Sequence, residues 1–238
     1  MSLKAKTIYV IVTSLFLVAF AIPLVGLTQK GSLQDLLARV DRRLSSLQSL
    51  SASFDQTRQI KLTGEKIEAK GRLYLRKPKE ILLDYTEPER QKLLVKNSMV
   101  MIYLPSLNQI QRFNLDASKE EQDLFVFWEP LGNLEKRFTI APARQKDSRF
   151  RYVELVPKDE AAGFKKLILG IDTALLLPRV IEVEEDGGDV VKMVLSNVKV
   201  NLALSESLFE LSVGEGVEII DYSGKVNESP SGTAKSLQ

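Results

Sequence analysis

Two short runs of alternating apolar residues, joined by a proline corner, constrain the fold of this chain more than any other feature. They lie in residues 71–88, GRLYLRKPKEILLDYTEP. Their apolar positions recur at every second residue: Leu73 and Leu75, then Ile81, Leu83 and Tyr85. This period is typical of strands that bury one face. Pro78 cannot donate to a sheet ladder and belongs at the corner, and Pro88 ends the second run. The segment therefore predicts a β-hairpin with one apolar face.

Similar alternating segments follow the hairpin at intervals of about a dozen residues, which is typical of an antiparallel meander. Leu208 to Leu211 is predicted to be one of the last strands, and the acidic residues 184–189 a hairpin turn rather than a calcium loop. Before the hairpin the period is helical. Apolar residues recur at spacings of three and four behind a capping box at Ser32, which predicts an amphipathic helix over about residues 33–48.

The N-terminal residues Met1 to Ala21 have the features of an export signal. Lys4 and Lys6 precede an apolar stretch that ends in small residues. An uncleaved anchor is the alternative, since the apolar character continues far enough to span a bilayer. Cleavage near Ala21 is favoured, and either interpretation places the body outside the cytoplasm. The predicted organisation is a signal peptide (1–21), a linker (22–31), one domain (32–222) and a disordered polar tail (223–238).

The composition excludes several kinds of function. The 238 residues contain no cysteine and no histidine. Disulfides, Ser-His-Asp and Cys-His arrangements and most zinc sites are therefore unavailable. We expect a protein that is not an enzyme and that uses no cofactor or metal. The 33 basic and 31 acidic residues leave a charge of +2, which Lys4 and Lys6 account for. A neutral body argues against nucleic acid as a partner.

The segment 124–128, LFVFW, interrupts the strand pattern with three aromatic residues: Phe125, Phe127 and Trp128. One interpretation is a connection that plugs the core, and the other is a lid over a cavity. Two alternatives are likewise open for the interior of the sheet. A half-closed sheet either fills its interior with side chains or leaves room for an apolar ligand.

From about Leu33 to Tyr222 the chain resembles the periplasmic lipoprotein carrier family, LolA-like. The resemblance is carried by the order of the segments and by these motifs: Phe54-x-Gln56, Gly71-x-Leu73-x-Leu75-Arg76-Lys77-Pro78, Leu83-x-Tyr85-x-x-Pro88 and Tyr103-x-Pro105. It implies a mainly β fold with few helices. A strongly curved antiparallel sheet, an incomplete barrel, would be covered by the N-terminal amphipathic helix and a helical lid over an apolar cavity.

The resemblance also implies a function. Members of this family take acylated lipoproteins released by an inner-membrane ABC transporter and carry them to an outer-membrane acceptor. This chain would be a monomeric carrier of that kind; the alternative is a lipid or lipoprotein sensor that regulates the cell envelope through the same fold. The residues expected to line the cavity are Leu36, Val40, Leu73, Leu75, Ile81, Leu83 and Tyr85. Phe125, Phe127 and Trp128 would form the underside of the lid, and Lys77, where the family has arginine, would be its latch.

Overall fold

The computed structural model describes residues 29–115, 128–144, 146–159, 162–211 and 216–223. The chain divides into two compact units, residues 1–36 and residues 37–238. The described part of the first unit, residues 29–36, is helical and belongs to helix α1, Gln29–Ser45. The predicted leader lies outside the described residues, as does nearly all of the predicted tail. Within the described ranges, no helix is both long and apolar enough to cross a membrane.

The second unit is built on a single sheet, to which the described residues contribute twelve strands. The strands are β1 Ser49–Gln59, β2 Lys66–Arg76, β3 Glu80–Glu87, β4 Gln91–Lys96, β5 Met99–Leu104, β6 Gln109–Asn114, β7 Phe138–Pro142, β8 Phe150–Pro157, β9 Phe164–Asp172, β10 Leu177–Glu185, β11 Val190–Val200 and β12 Glu218–Asp221. A short helix α2, Leu131–Leu134, precedes β7, and 3-10 helices span Pro105–Leu107 and Glu206–Phe209.

The sheet consists of two meandering arms that meet at β1. Its strand order is β12-β6-β5-β4-β3-β2-β1-β11-β10-β9-β8-β7. Successive strands pair antiparallel within each arm, which confirms the predicted meander, and the arms join where Phe54 of β1 lies opposite Leu195 of β11. β12 is the exception, because it runs in the same direction as β6 and pairs with it in parallel. The outermost described strands, β12 and β7, are not paired with each other, so the sheet is open, as an incomplete barrel requires.

Irregular pairing accounts for the curvature of the sheet. The register shifts between Ser51 and Ser53 in the β1–β11 ladder and at Gly71 in the β2–β3 ladder. A further shift lies at Pro178 in the β9–β10 ladder. Extra residues of this kind bend a strand and increase its local twist. The sheet can therefore curl around the side chains of one face, which we call the inner face and define by Phe54 of β1 and the residues directly opposite it.

The predicted hairpin is confirmed as β2 and β3. Leu73 lies opposite Leu83, and Leu75 lies opposite Ile81. These pairs are on the inner face, because Leu73 is also opposite Ala52 of β1. The period-two pattern therefore assigned the apolar residues of both strands to the correct face.

The opposite, outer face of the same strands is also apolar, which the alternating pattern does not indicate. Leu82 and Leu94 form a buried cluster there with Phe209. Phe209 belongs to the 3-10 helix Glu206–Phe209, so the prediction of a strand at residues 208–211 is wrong. Distant contacts decide the conformation: Glu206 forms ion pairs with Arg76 at 2.8 Å and Lys96 at 2.9 Å.

Both ends of helix α1 differ from the predicted ones. Helix α1 begins at Gln29, so the last residues of the predicted linker are helical, and Ser32 lies inside the helix rather than at its N-cap as predicted. The helix ends at Ser45, earlier than predicted, because β1 begins at Ser49.

The acidic segment, residues 184–189, forms the β10–β11 turn, in which the Glu185 N–H donates to the Asp189 carbonyl at 2.9 Å. The hairpin interpretation of that segment is confirmed.

Gly71 lies in β2 between Phe54 of β1 and Tyr85 of β3, and the packing there leaves no room for a side chain. A Cβ at this position would lie 2.3 Å from the Asp84 carbonyl oxygen and 2.7 Å from the Phe54 ring. We expect Gly71→Ala to lower the free energy of unfolding by about 1–3 kcal/mol, the usual cost of overpacking. Urea denaturation measures the change. Gly187→Ala is the matched control, since a Cβ there would meet nothing within 4 Å; an equal loss in both variants would contradict the steric explanation.

Candidate functional site

An apolar cavity of about 180 Å³ lies against the inner face of the sheet. Both arms contribute to its wall, together with one aromatic side chain from outside the sheet. The lining residues are Leu73, Ile81, Leu83, Leu93, Val95, Trp128, Ile181, Val183, Val191 and Met193. Nine of these ten side chains are aliphatic or thioether and the tenth is the indole of Trp128, so the wall can hold a hydrocarbon and offers no charged group.

The burial of the lining residues shows where the cavity opens. Leu73 and Val95 are only 3% and 1% exposed. Leu83, Val183 and Val191 are half-buried, and they lie toward the ends of the strands where the β3–β4 and β10–β11 turns occur. The cavity is therefore closed at its deep end and open toward these turns, which we call the open end.

Trp128 is held in the cavity by a contact between α1 and α2. Its side chain is buried, and it precedes α2 by three residues. The residue at the N-cap of α2, Pro130, provides no side-chain cap. The Asp41 carboxylate of α1 supplies one instead, because it accepts hydrogen bonds from the Leu131 N–H at 2.5 Å and the Gly132 N–H at 2.9 Å. This cap satisfies amide groups that the helix leaves unpaired.

Lys77 makes a second contact with α1. It lies at the corner between β2 and β3, and its Nζ donates to the carbonyl oxygen of Leu44 at 2.6 Å. That carbonyl belongs to the last turn of α1, where helices leave oxygen atoms unpaired and favour a positive charge. Burial lowers the pKa of Lys77, and the charge of Glu129 opposes part of this shift. The C-terminal part of α1 is thus held by the hairpin corner and by the segment that follows Trp128.

The structure brings four of the predicted site residues together. Leu73, Ile81, Leu83 and Trp128 all line the cavity. Tyr85 lies on the inner face two residues beyond Leu83, at the open end.

The other predicted residues are placed differently. Val40 and Leu75 are buried, at 0% and 1% exposure, but neither is among the lining residues. Leu36 is half-buried and belongs to the first unit. Phe125 and Phe127 lie outside the described residues.

Sequence reasoning did not name the rest of the cavity wall, which consists of Leu93, Val95, Ile181, Val183, Val191 and Met193. Each of these residues shows the period-two signal within its own strand. The missing information was that β10 and β11 face β2, β3 and β4 across the inner face. That arrangement depends on the pairing of β1 with β11, which is not a local property of the sequence.

One buried carboxylate, that of Asp172, has a structural role in this unit. No group of three or more Asp or Glu side chains in the described ranges is arranged to hold a metal ion. The buried carboxylate of Asp172 accepts hydrogen bonds from the Ala174 and Leu175 N–H groups and pairs with Arg179 at 2.9 Å. Burial alone raises the pKa of Asp172, but these hydrogen bonds bring it below its usual value. Asp172 therefore fixes the turn between β9 and β10.

These features define a class of protein: a mainly β protein whose curved, open sheet encloses an apolar cavity. Residues 45–212, more than half of the chain, match the sequence profile of the family described as "Outer membrane lipoprotein carrier protein LolA". The chain belongs to this family.

Individual proteins are similar at modest identity. An outer-membrane lipoprotein carrier protein of Methylococcus capsulatus is 26% identical over 184 residues, which cover 77% of this chain and 86% of the relative. One from Methylobacillus flagellatus is 25% identical over 190 residues, covering 75% and 90%. The crystal structure of an uncharacterised conserved protein from Thermus thermophilus has a TM-score of 0.51 at 15% identity and covers 80% of this chain and 99% of its own. This structural likeness concerns the fold alone.

The Asp41 contact can be tested through Trp128, the only tryptophan in the sequence. We expect Asp41→Ala to make Trp128 more accessible to acrylamide quenching, and to lower the free energy of unfolding by about 0.5–2 kcal/mol, the usual cost of a lost N-cap. Asp41→Asn keeps one of the two accepting oxygens and is the matched control, so it should recover part of the protection. Unchanged quenching in Asp41→Ala would mean that the carboxylate does not hold the tryptophan in place.

Proposed function

We propose that this protein is a periplasmic carrier that binds the acyl chains of lipoproteins in its cavity and takes them from the inner to the outer membrane. The observation that carries the proposal is the cavity wall, which is built by both arms of the sheet from apolar side chains alone. Membership of the LolA family and the names of the curated relatives support it.

The hydrophobic effect explains why such cargo needs a carrier. Burial of a methylene group contributes about 0.8 kcal/mol, so a 16-carbon acyl chain gains about 12 kcal/mol on leaving water. A lipoprotein with two or three such chains does not cross an aqueous compartment unaided. The carrier must cover the chains and yet release them, which favours a cavity that can open.

The size of the cavity fits a protein that opens to receive its cargo. Its volume of about 180 Å³ is close to the roughly 150 Å³ of an engineered cavity that holds one benzene molecule. One 16-carbon chain needs more room than that. In the proposed mechanism, the segment containing Trp128 moves away from the wall, and Lys77 and Asp41 determine how readily it does so.

The proposed partners follow from the direction of transport. An inner-membrane ABC transporter releases the acylated lipoprotein to the open end of the cavity, and an outer-membrane acceptor receives it. The carrier acts as a monomer in this scheme, and it needs no cofactor, since the transfer is driven by differences in how well each protein covers the chains.

Binding of a fluorescent fatty acyl probe tests the proposal directly. We expect the probe to bind the protein and to change the emission of Trp128, which lines the cavity. Leu83→Glu places a carboxylate in the wall and should weaken binding at least tenfold, since burying an unpaired charge costs well over 1.4 kcal/mol.

The control for this variant makes the same chemical change outside the cavity. Leu62 is 94% exposed, so Leu62→Glu should leave probe affinity unchanged. Circular dichroism shows whether Leu83→Glu keeps its β structure. Absence of binding to the unaltered protein would refute the carrier function, and equal loss in both variants would refute the assigned site.

The latch role of Lys77 makes a separate prediction. Lys77→Met removes the donor to Leu44 and should lower the free energy of unfolding by about 1 kcal/mol, because the hydrogen bond is charged but the side chain is half-exposed. It should also speed uptake of the probe in stopped-flow measurements. Lys77→Arg restores a charged donor and should return uptake toward the original rate. Identical rates in all three proteins would contradict the latch.

A further inference from the structure

Beside the apolar wall, at the open end of the cavity, the inner face carries a hydrogen-bonded polar pair. Gln56 of β1 lies directly opposite Met193 of β11, which lines the cavity, so Gln56 is on the inner face. Tyr85 of β3 lies two residues beyond Leu83, another lining residue, and therefore shares that face. Acyl-chain binding in the apolar cavity does not by itself require a hydrogen bond between Tyr85 and Gln56.

The two side chains are joined and held in place. The Tyr85 hydroxyl donates to Gln56 Oε1 at 3.2 Å. The Tyr85 ring packs edge-on against Phe54, with ring centroids 5.0 Å apart and an angle of 78° between the rings. Burial raises the pKa of Tyr85 above its usual value. Tyr85 therefore remains a protonated donor at neutral pH.

This hydrogen bond orients the Gln56 amide. Its oxygen faces the tyrosine, so Nε2 with its two N–H donors is directed elsewhere. Among the described residues, the bond from Tyr85 is the one hydrogen bond found for the Gln56 side chain. A fixed amide donor is thus available at the edge of an apolar cavity.

The neighbouring cation, Arg58, is not available to bind a ligand in the same way. Arg58 follows Gln56 by two residues on the same face of β1, opposite Val191. Its guanidinium is paired with Glu185 at 2.8 Å and with Asp189 at 3.0 Å. Those carboxylates occupy the arginine and would repel an anionic ligand. The available group at the open end is therefore a neutral donor, which suits a neutral acceptor such as a carbonyl oxygen.

We infer that Gln56 Nε2 donates to the carbonyl oxygen of the ester or amide through which a bound acyl chain is attached, while the hydrocarbon lies in the cavity. The inference rests on the proposed carrier function and deepens it, because it makes the ligand class acyl chains rather than alkyl chains in general. The carbonyl is the first polar group of such a chain, and burying it without a donor is unfavourable. Tyr85 acts as a positioning residue through the orientation that it gives the amide.

The test compares two ligands that differ only at this carbonyl: 1-palmitoyl glycerol, an ester, and 1-O-hexadecyl glycerol, the corresponding ether. Each displaces a fluorescent acyl probe from the protein. We expect the unaltered protein to prefer the ester by about three- to tenfold, the range that one net hydrogen bond provides. Gln56→Met should abolish this preference and leave the affinity for the ether unchanged, and Tyr85→Phe should reduce it.

The control is Gln59→Met, which changes an exposed glutamine on the opposite face of the same strand and should keep the full preference. Thermal unfolding and ether affinity show that a variant is folded; if Gln56→Met is not, Gln56→Leu also removes the donors without adding a charge and takes its place. Equal affinities in the unaltered protein, or a preference that survives loss of the Gln56 donors, would overturn the inference while leaving the carrier function intact. Failure of both ligands to bind would overturn the carrier function and this inference with it.

Discussion

The pairing of β1 with β11 is the interaction on which the cavity depends. It places Phe54 opposite Leu195 and so joins two arms that are far apart in the sequence. Each arm alone would expose the apolar face of its strands. Joined, the arms enclose the space between Leu83 and Val183. The entropy of closing so long a loop is offset by burial along a ladder that covers the length of β1. Gly71 allows this packing, because the Phe54 ring lies where a larger residue would place its Cβ.

The closed cavity is maintained by contacts that are individually weak. Asp41 caps α2, and Lys77 donates to the last turn of α1. Each contact is worth about 1–2 kcal/mol, whereas burial of one acyl chain contributes about 12 kcal/mol. In the proposed carrier, a ligand can therefore displace the Trp128 segment and still bind favourably. Recovery of these contacts in the empty state offsets only a small part of that free energy, so release requires an acceptor that covers the chains in turn.

Local patterns predicted part of this site and failed where distant residues decide. The alternation in residues 71–88 assigned Leu73 and Leu83 to one face, and the structure pairs them. The same reasoning made residues 208–211 a strand, but Glu206–Phe209 is a 3-10 helix. Its first residue, Glu206, is paired with Arg76 and Lys96 of distant strands. The orientation of the Gln56 amide could not be predicted from the sequence either. Phe54-x-Gln56 is visible as a motif, whereas the hydrogen bond from Tyr85 joins residues of strands that are not neighbours in the sheet.

The sequence by itself determined most of the strands, the apolar inner face of the hairpin and the family. These properties are readable because the alternation of side chains is a local consequence of extended backbone geometry. Only the tertiary structure decided that the inner face leaves a cavity, that Trp128 occupies one side of it, and that Asp41 and Lys77 bond to α2 and α1. These outcomes depend on which faces meet and on how completely their side chains fill the space between them. Both are set by long-range pairing and by packed volume, which no local pattern encodes.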